Sequence, residues 1–300
     1  MGLAKDPPTG ALLSLAIDRR NQALWPEIDR LDADGFRQSL EREAVRAAAA
    51  AKAAPKDYDA VSRQMQALRA LGRFQEALAV GKALASDKAQ IEVVGHDAFW
   101  LVNEYAANLH ALGRVDEAIA ALDGVIALGI DRYPELASIA INRAETVNAA
   151  GRSQAALDSF AEIEAQHFDK LNSYGKMWVW AGKACALTAL GRADEAKAMW
   201  AKLTNKPEDN WNAATAAAAC RDDTKVIADM LVTRLRDSDA RPGALGLFIQ
   251  FGAPEARTPV EKAMRDVVAK ARAMPQVQAE FAKYGRTIRY AGTTQGWSEF

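Results

Sequence analysis

Leu112-Gly113-Arg114-Val115-Asp116-Glu117-Ala118-Ile119 holds the end of one helix, a turn and the start of the next. Gly113 follows an apolar-periodic run and can take a positive φ, which ends a helix cheaply. Asp116 and Glu117 fall in the first turn of the helix that follows, where acidic groups complement free N–H groups and the helix dipole. Ala118 is small enough to let two helices touch. Three further stretches carry the same turn, the second of them without the first-turn acid: Leu71-Gly72-Arg73-Phe74-Gln75-Glu76-Ala77-Leu78, Ala150-Gly151-Arg152-Ser153-Gln154-Ala155-Ala156-Leu157 and Leu190-Gly191-Arg192-Ala193-Asp194-Glu195-Ala196-Lys197.

Beyond each alanine (Ala77, Ala118, Ala156, Ala196) the register continues. Four residues on come Gly81, Leu122, Phe160 and Trp200, then after three more Leu84, Val125, Ile163 and Leu203. This i, i+4, i+7 stripe is the buried face of a helix. Upstream, Met65, Ala106, Ala144 and Ala184 lie seven residues before their glycines, and Leu68, Leu109, Val147 and Leu187 lie four before. Met65 is the one bulky residue in the first set.

This pattern resembles the tetratricopeptide repeat, a helix-turn-helix unit with a glycine at its turn and an alanine early in its second helix. The resemblance implies an all-α fold, a right-handed superhelical solenoid of antiparallel helical hairpins whose first helices line a concave face. The glycines are 41, 38 and 40 residues apart, against a family repeat of about 34. The excess is expected in longer helices or in the connections between hairpins, such as Asp87–Gly95, Gly129–Leu136 and His167–Tyr174.

The four copies occupy about 57–205. Residues 1–56 read as capping helices, Thr9–Leu24 and Asp34–Ala53. Residues 206–284 read as degenerate hairpins: Asp209–Cys220 with Asp222–Asp237 around the turn Arg221-Asp222-Asp223-Thr224, then Ala240–Phe251 with Thr258–Ala273, and a short helix from Pro275. Residues 285–300 read as an irregular tail.

Half of the 300 residues are hydrophobic, and 38 basic residues balance 39 acidic ones for a net charge of −1. That balance gives no general attraction to nucleic acid or anionic lipid. No apolar run is long enough to span a membrane, and Ala11–Ile17 lacks the flanks of a signal peptide. Met1-Gly2 does not open a myristoylation signal. A soluble, cytoplasmic protein is the default expectation, with a mature periplasmic form as the alternative. Cys185 and Cys220 sit in Ala-rich helical stretches and read as buried free thiols, with one disulfide as the alternative.

No constellation argues for catalysis. His96, His110 and His167 share no metal-ligand spacing, no nucleophile elbow occurs, and Gly292-Thr293-Thr294-Gln295-Gly296 is not a phosphate loop. Neither a metal nor a cofactor is expected. The expected function is a protein- or peptide-binding scaffold, with a ligand- or peptide-sensing regulator as the alternative and an enzyme as the remote one. By helical geometry, the positions thirteen, ten, nine, six and three before each glycine point into the concave face. They place Arg69, Trp100, Asn103, His110, Asn142, Glu145, Asn148 and Trp178 there as candidate partner-binding residues. Aromatic area combined with amides suits a peptide backbone or a small polar ligand. The partner's identity and the oligomeric state are not written in the sequence.

Overall fold

The computed structural model describes residues 8–31, 34–252 and 258–293. The described residues are all-α in class, 78 % helical, and hold seventeen α-helices. They are α1 (Thr9–Ile17), α2 (Trp25–Leu31), α3 (Arg37–Ala53), α4 (Tyr58–Ala70), α5 (Phe74–Ala85), α6 (Lys88–Val94), α7 (His96–Ala111), α8 (Val115–Ile126), α9 (Leu136–Ala149), α10 (Ser153–Gln166), α11 (Ser173–Ala189), α12 (Ala193–Asn205), α13 (Trp211–Cys220), α14 (Thr224–Arg236), α15 (Arg241–Gly246), α16 (Pro259–Ala273) and α17 (Pro275–Tyr284). Each helix from α3 to α14 packs on its neighbours in sequence, and α4, α7, α9, α11 and α13 also pack side by side.

The turns explain this regularity. Gly72, Gly113, Gly151 and Gly191 have φ between 71° and 77°. The arginine after each donates its N–H back to the carbonyl five residues earlier: Arg73 to Leu68, Arg114 to Leu109, Arg152 to Val147 and Arg192 to Leu187. This 6→1 bond closes the helix end and fixes the direction of the next helix. A fifth turn has the same bond, from Asp223 to Ala218, with Asp222 in the left-handed conformation at φ 56°. Aspartate tolerates that region better than most residues.

Ala77, Ala118 and Ala156 are fully buried and Ala196 nearly so. Size is traded across the helix contacts. A Cβ on Gly81 would lie 2.3 Å from Met65 Sδ, and one on Gly182 would lie 2.1 Å from the Phe160 ring. The bulky Met65 is therefore housed by a glycine on the facing helix. The extra length per repeat is taken up by α6, by residues 127–135 and by a 3₁₀ turn at Phe168–Lys170.

Three expectations are corrected. The cysteines are not free thiols: Cys185 and Cys220 form a disulfide, with Cα atoms 5.2 Å apart because α11 and α13 are packed neighbours. Ala240–Phe251 is not one helix, since α15 stops at Gly246 and Ile249–Phe251 is a strand, β1. The tail is not wholly irregular, because Ile288–Tyr290 forms a strand, β2, that pairs with β1 in parallel. Thr294, Gln295 and Gly296, with the rest of the tail, lie outside the described residues.

β2 also carries the chain back to its beginning. Arg286 donates from Nε to the Ala16 carbonyl at 2.8 Å and pairs with Asp29 at 2.7 Å, and Ala291 N–H donates to Gly35. Thr293 bonds the last turn of α4, its N–H to Ala70 O and its hydroxyl to Arg69 O. A common core of Leu12, Ile28, Leu40, Leu231, Val268, Phe281 and Tyr290 joins α1–α3 to α13–α17. The repeat array has its own core from Ala51 to Val179.

Candidate functional site

Helices α7, α9, α11 and α13 present one face to α14–α16 and β1, and the candidate residues divide along that face. Arg69, on α4, is committed inside the chain. Its Nε and Nη2 lie 2.6 and 3.0 Å from the Glu104 carboxylate, and both side chains are largely buried. His110, at the end of α7, is also committed, with Nε2 2.6 Å from Oε1 of Glu261 on α16. Glu261 also closes the capping box of α16 with Thr258. Asn142 donates to the Asn103 side chain at 2.9 Å, joining α9 to α7.

The remaining residues line two spaces that share Glu145 and Trp178. Asn148, Trp178 and Glu145 border a narrow cleft of about 80 Å³ together with His110, Glu261 and the disulfide. Trp178 and Glu145 also border a larger cavity of about 690 Å³, shared with Trp100, Asn142, Tyr174 and Arg234. Tyr174 meets Trp178 edge-on at 6.4 Å between ring centres. That volume lies in the range of small-molecule sites.

The electrostatics of the cavity are lopsided. Its cationic wall residues are Lys170 and Arg234, and Lys170 is ion-paired with Asp131. Arg234, on α14, is only 4 % exposed, and its Nε and Nη1 have no hydrogen-bond partner. Burial draws its guanidinium down to about 10, which still leaves it charged at neutral pH. Among the described residues, Glu145 is the acidic side chain on the cavity wall, and burial pushes its carboxyl up to about 8. Glu145 is half-buried, with the rest of its surface on the cavity. The protein packed around it governs desolvation, so at neutral pH it is mostly a neutral hydrogen-bond donor.

Arg234 was not among the residues singled out by sequence. The signal that could have found it is its register, since Ile227, Leu231 and Arg234 fall at i, i+4 and i+7 on the buried face of α14. Among the described residues no group of His, Cys, Asp and Glu could hold a metal ion, and no helix is long and apolar enough to cross a membrane. Compared with known proteins, the chain matches no family model, no curated protein and no solved structure.

Proposed function

We propose that the protein is a binding protein without catalytic activity, built on a tetratricopeptide-like array, and that its ligand sits in the cavity between α7, α9, α11 and the α14–β1 segment. The observation that carries this reading is the cavity of about 690 Å³ with aromatic walls and a few convergent polar groups. Such a space suits a small molecule or a short peptide segment, held by apolar area and oriented by amides. Five turns with the same 6→1 bond support the right-handed array of antiparallel hairpins. The disulfide favours an oxidising compartment over the cytoplasm.

A long peptide laid along the whole concave face has less support. Arg69 and His110 are turned to Glu104 and Glu261, so that face is partly covered by the chain itself. A ligand touching both the array and α14–β1 couples the two, which is the physical basis for a sensing role.

The test is a cavity-filling variant. Ser138→Trp places an indole among the lining residues. Wild type and variant, purified from the native cell, are compared by native mass spectrometry. A compound or peptide retained by wild type and absent from a folded variant supports the reading; identical retained sets on both proteins would sink it.

A further inference from the structure

The cavity wall carries one buried positive charge that the protein leaves uncompensated. Arg234 reaches the cavity from α14 with its guanidinium over the Trp211 ring, 5.9 Å from the ring centre. Gly243 stands opposite, where a Cβ would lie 3.0 Å from Nη2, so a larger residue there would press on the guanidinium. Neither Nε nor Nη1 meets an acceptor. A buried, unpaired guanidinium costs stability, and folded proteins keep one only where something offsets the cost.

Resting on the cavity reading above, we propose that Arg234 anchors the acid group of the ligand, and that the ligand is a monocarboxylate with an apolar body. The planar fork of a guanidinium matches a carboxylate in two parallel hydrogen bonds. Charge count selects a monoanion. Lys170 is already paired with Asp131, so one positive charge faces the cavity, and a phosphate dianion would be under-compensated. Trp178, Tyr174 and Trp100 supply the surface for the apolar body. Glu145, neutral at pH 7 for the reason given above, does not compete for Arg234 and can donate to a ligand carbonyl.

The carboxylate could belong to a free organic acid or to the end of a peptide, and the probes separate these sources. Binding of 4-phenylbutyrate and its amide, of Ala-Ala-Phe as free acid and as C-terminal amide, and of inorganic phosphate is measured by calorimetry and tryptophan fluorescence. At least one free acid is expected to bind at least tenfold tighter than its amide, and whichever pair shows the difference identifies the source. Arg234→Met should erase the difference and raise the melting temperature, since an unpaired buried charge is removed. Arg234→Lys should retain weaker binding, through charge without the fork. Equal affinity of acid and amide, binding by none of the acids, or phosphate binding as tightly as the best acid would overturn the assignment. Trp178→Ala keeps the two readings apart. If acid binding falls with Trp178→Ala but not with Arg234→Met, the cavity stands and the anchor falls. If neither variant moves it, both fall.

Discussion

His110 and Glu261 are 151 residues apart in sequence and 2.6 Å apart in space. Their bond ties the start of α16 to the end of α7, and the same carboxylate caps α16. Glu261→Ala removes both interactions, and each buried polar partner left unmet costs about 1–3 kcal/mol. Glu261→Gln keeps an acceptor and a capping residue, so it should cost less. Urea unfolding measures the difference. In hydrogen exchange, α16 should lose protection in Glu261→Ala before α8 or α10 does.

The disulfide crosses from α11 to α13 and closes a loop 35 residues long. A cross-link of that span removes about 3–4 kcal/mol of loop entropy from the unfolded chain. Thermal melts with and without reductant should show a clear loss on reduction. Cys185→Ser with Cys220→Ser should melt near the reduced protein and show no response to reductant.

Packing at Gly182 leaves no room for a methyl group, since its Cβ would fall 2.1 Å from the edge of the Phe160 ring. Gly182→Ala should therefore cost about 1–3 kcal/mol through overpacking, despite the better helix propensity of alanine. Phe160→Leu alone leaves a gap, whereas the two together should cost less than the sum of the single changes. A double-mutant cycle reads the coupling; strict additivity would refute the size exchange.

Glu145 makes stability depend on pH. Its carboxyl is raised from 4.5 to about 8 in the folded protein, so the folded state holds a proton that the unfolded state releases. Below about 4.5 both states are protonated and nothing is lost. Between about 4.5 and 8 the unfolded state binds fewer protons, so stability falls as pH rises, and it levels off above that. Glu145→Gln should flatten this component and be relatively stabilising near pH 8. Parallel slopes for wild type and variant across pH 5–8 would contradict the assignment.

Much of the array was legible because its turns are local. Glycine with a positive φ, the arginine after it and the alanine five residues on are written within eight residues, and Asp222 serves the same turn under a different name. The array's small positions were legible too, apart from Met65, whose explanation lies across the helix contact at Gly81. The strand pair was not, since each strand has three residues and Phe248–Phe251 continues an apolar run that reads as helix. Nor was the coverage of the candidate face. Which surface α16 meets is decided by tertiary packing, and nothing local to Glu261 marks it as the partner of His110. Trp178, Glu145 and Asn142 follow from register on the first helices and line the cavity, whereas Arg234 lies on α14, beyond the four turns that set that register.

The return of residues 286–293 to α1, Gly35 and α4 also bears on how the protein is made. An open row of repeats can fold from one end as it leaves the ribosome, each unit resting on the last. Here α1–α3 bury their apolar side against α14–α17 and β2, contacts that span most of the chain. Those early helices keep an unpartnered surface until residues near 290 have been synthesised. Ring closure of this length is slow relative to local helix pairing, so the nascent chain passes through a long interval in which its first helices need shielding from other chains.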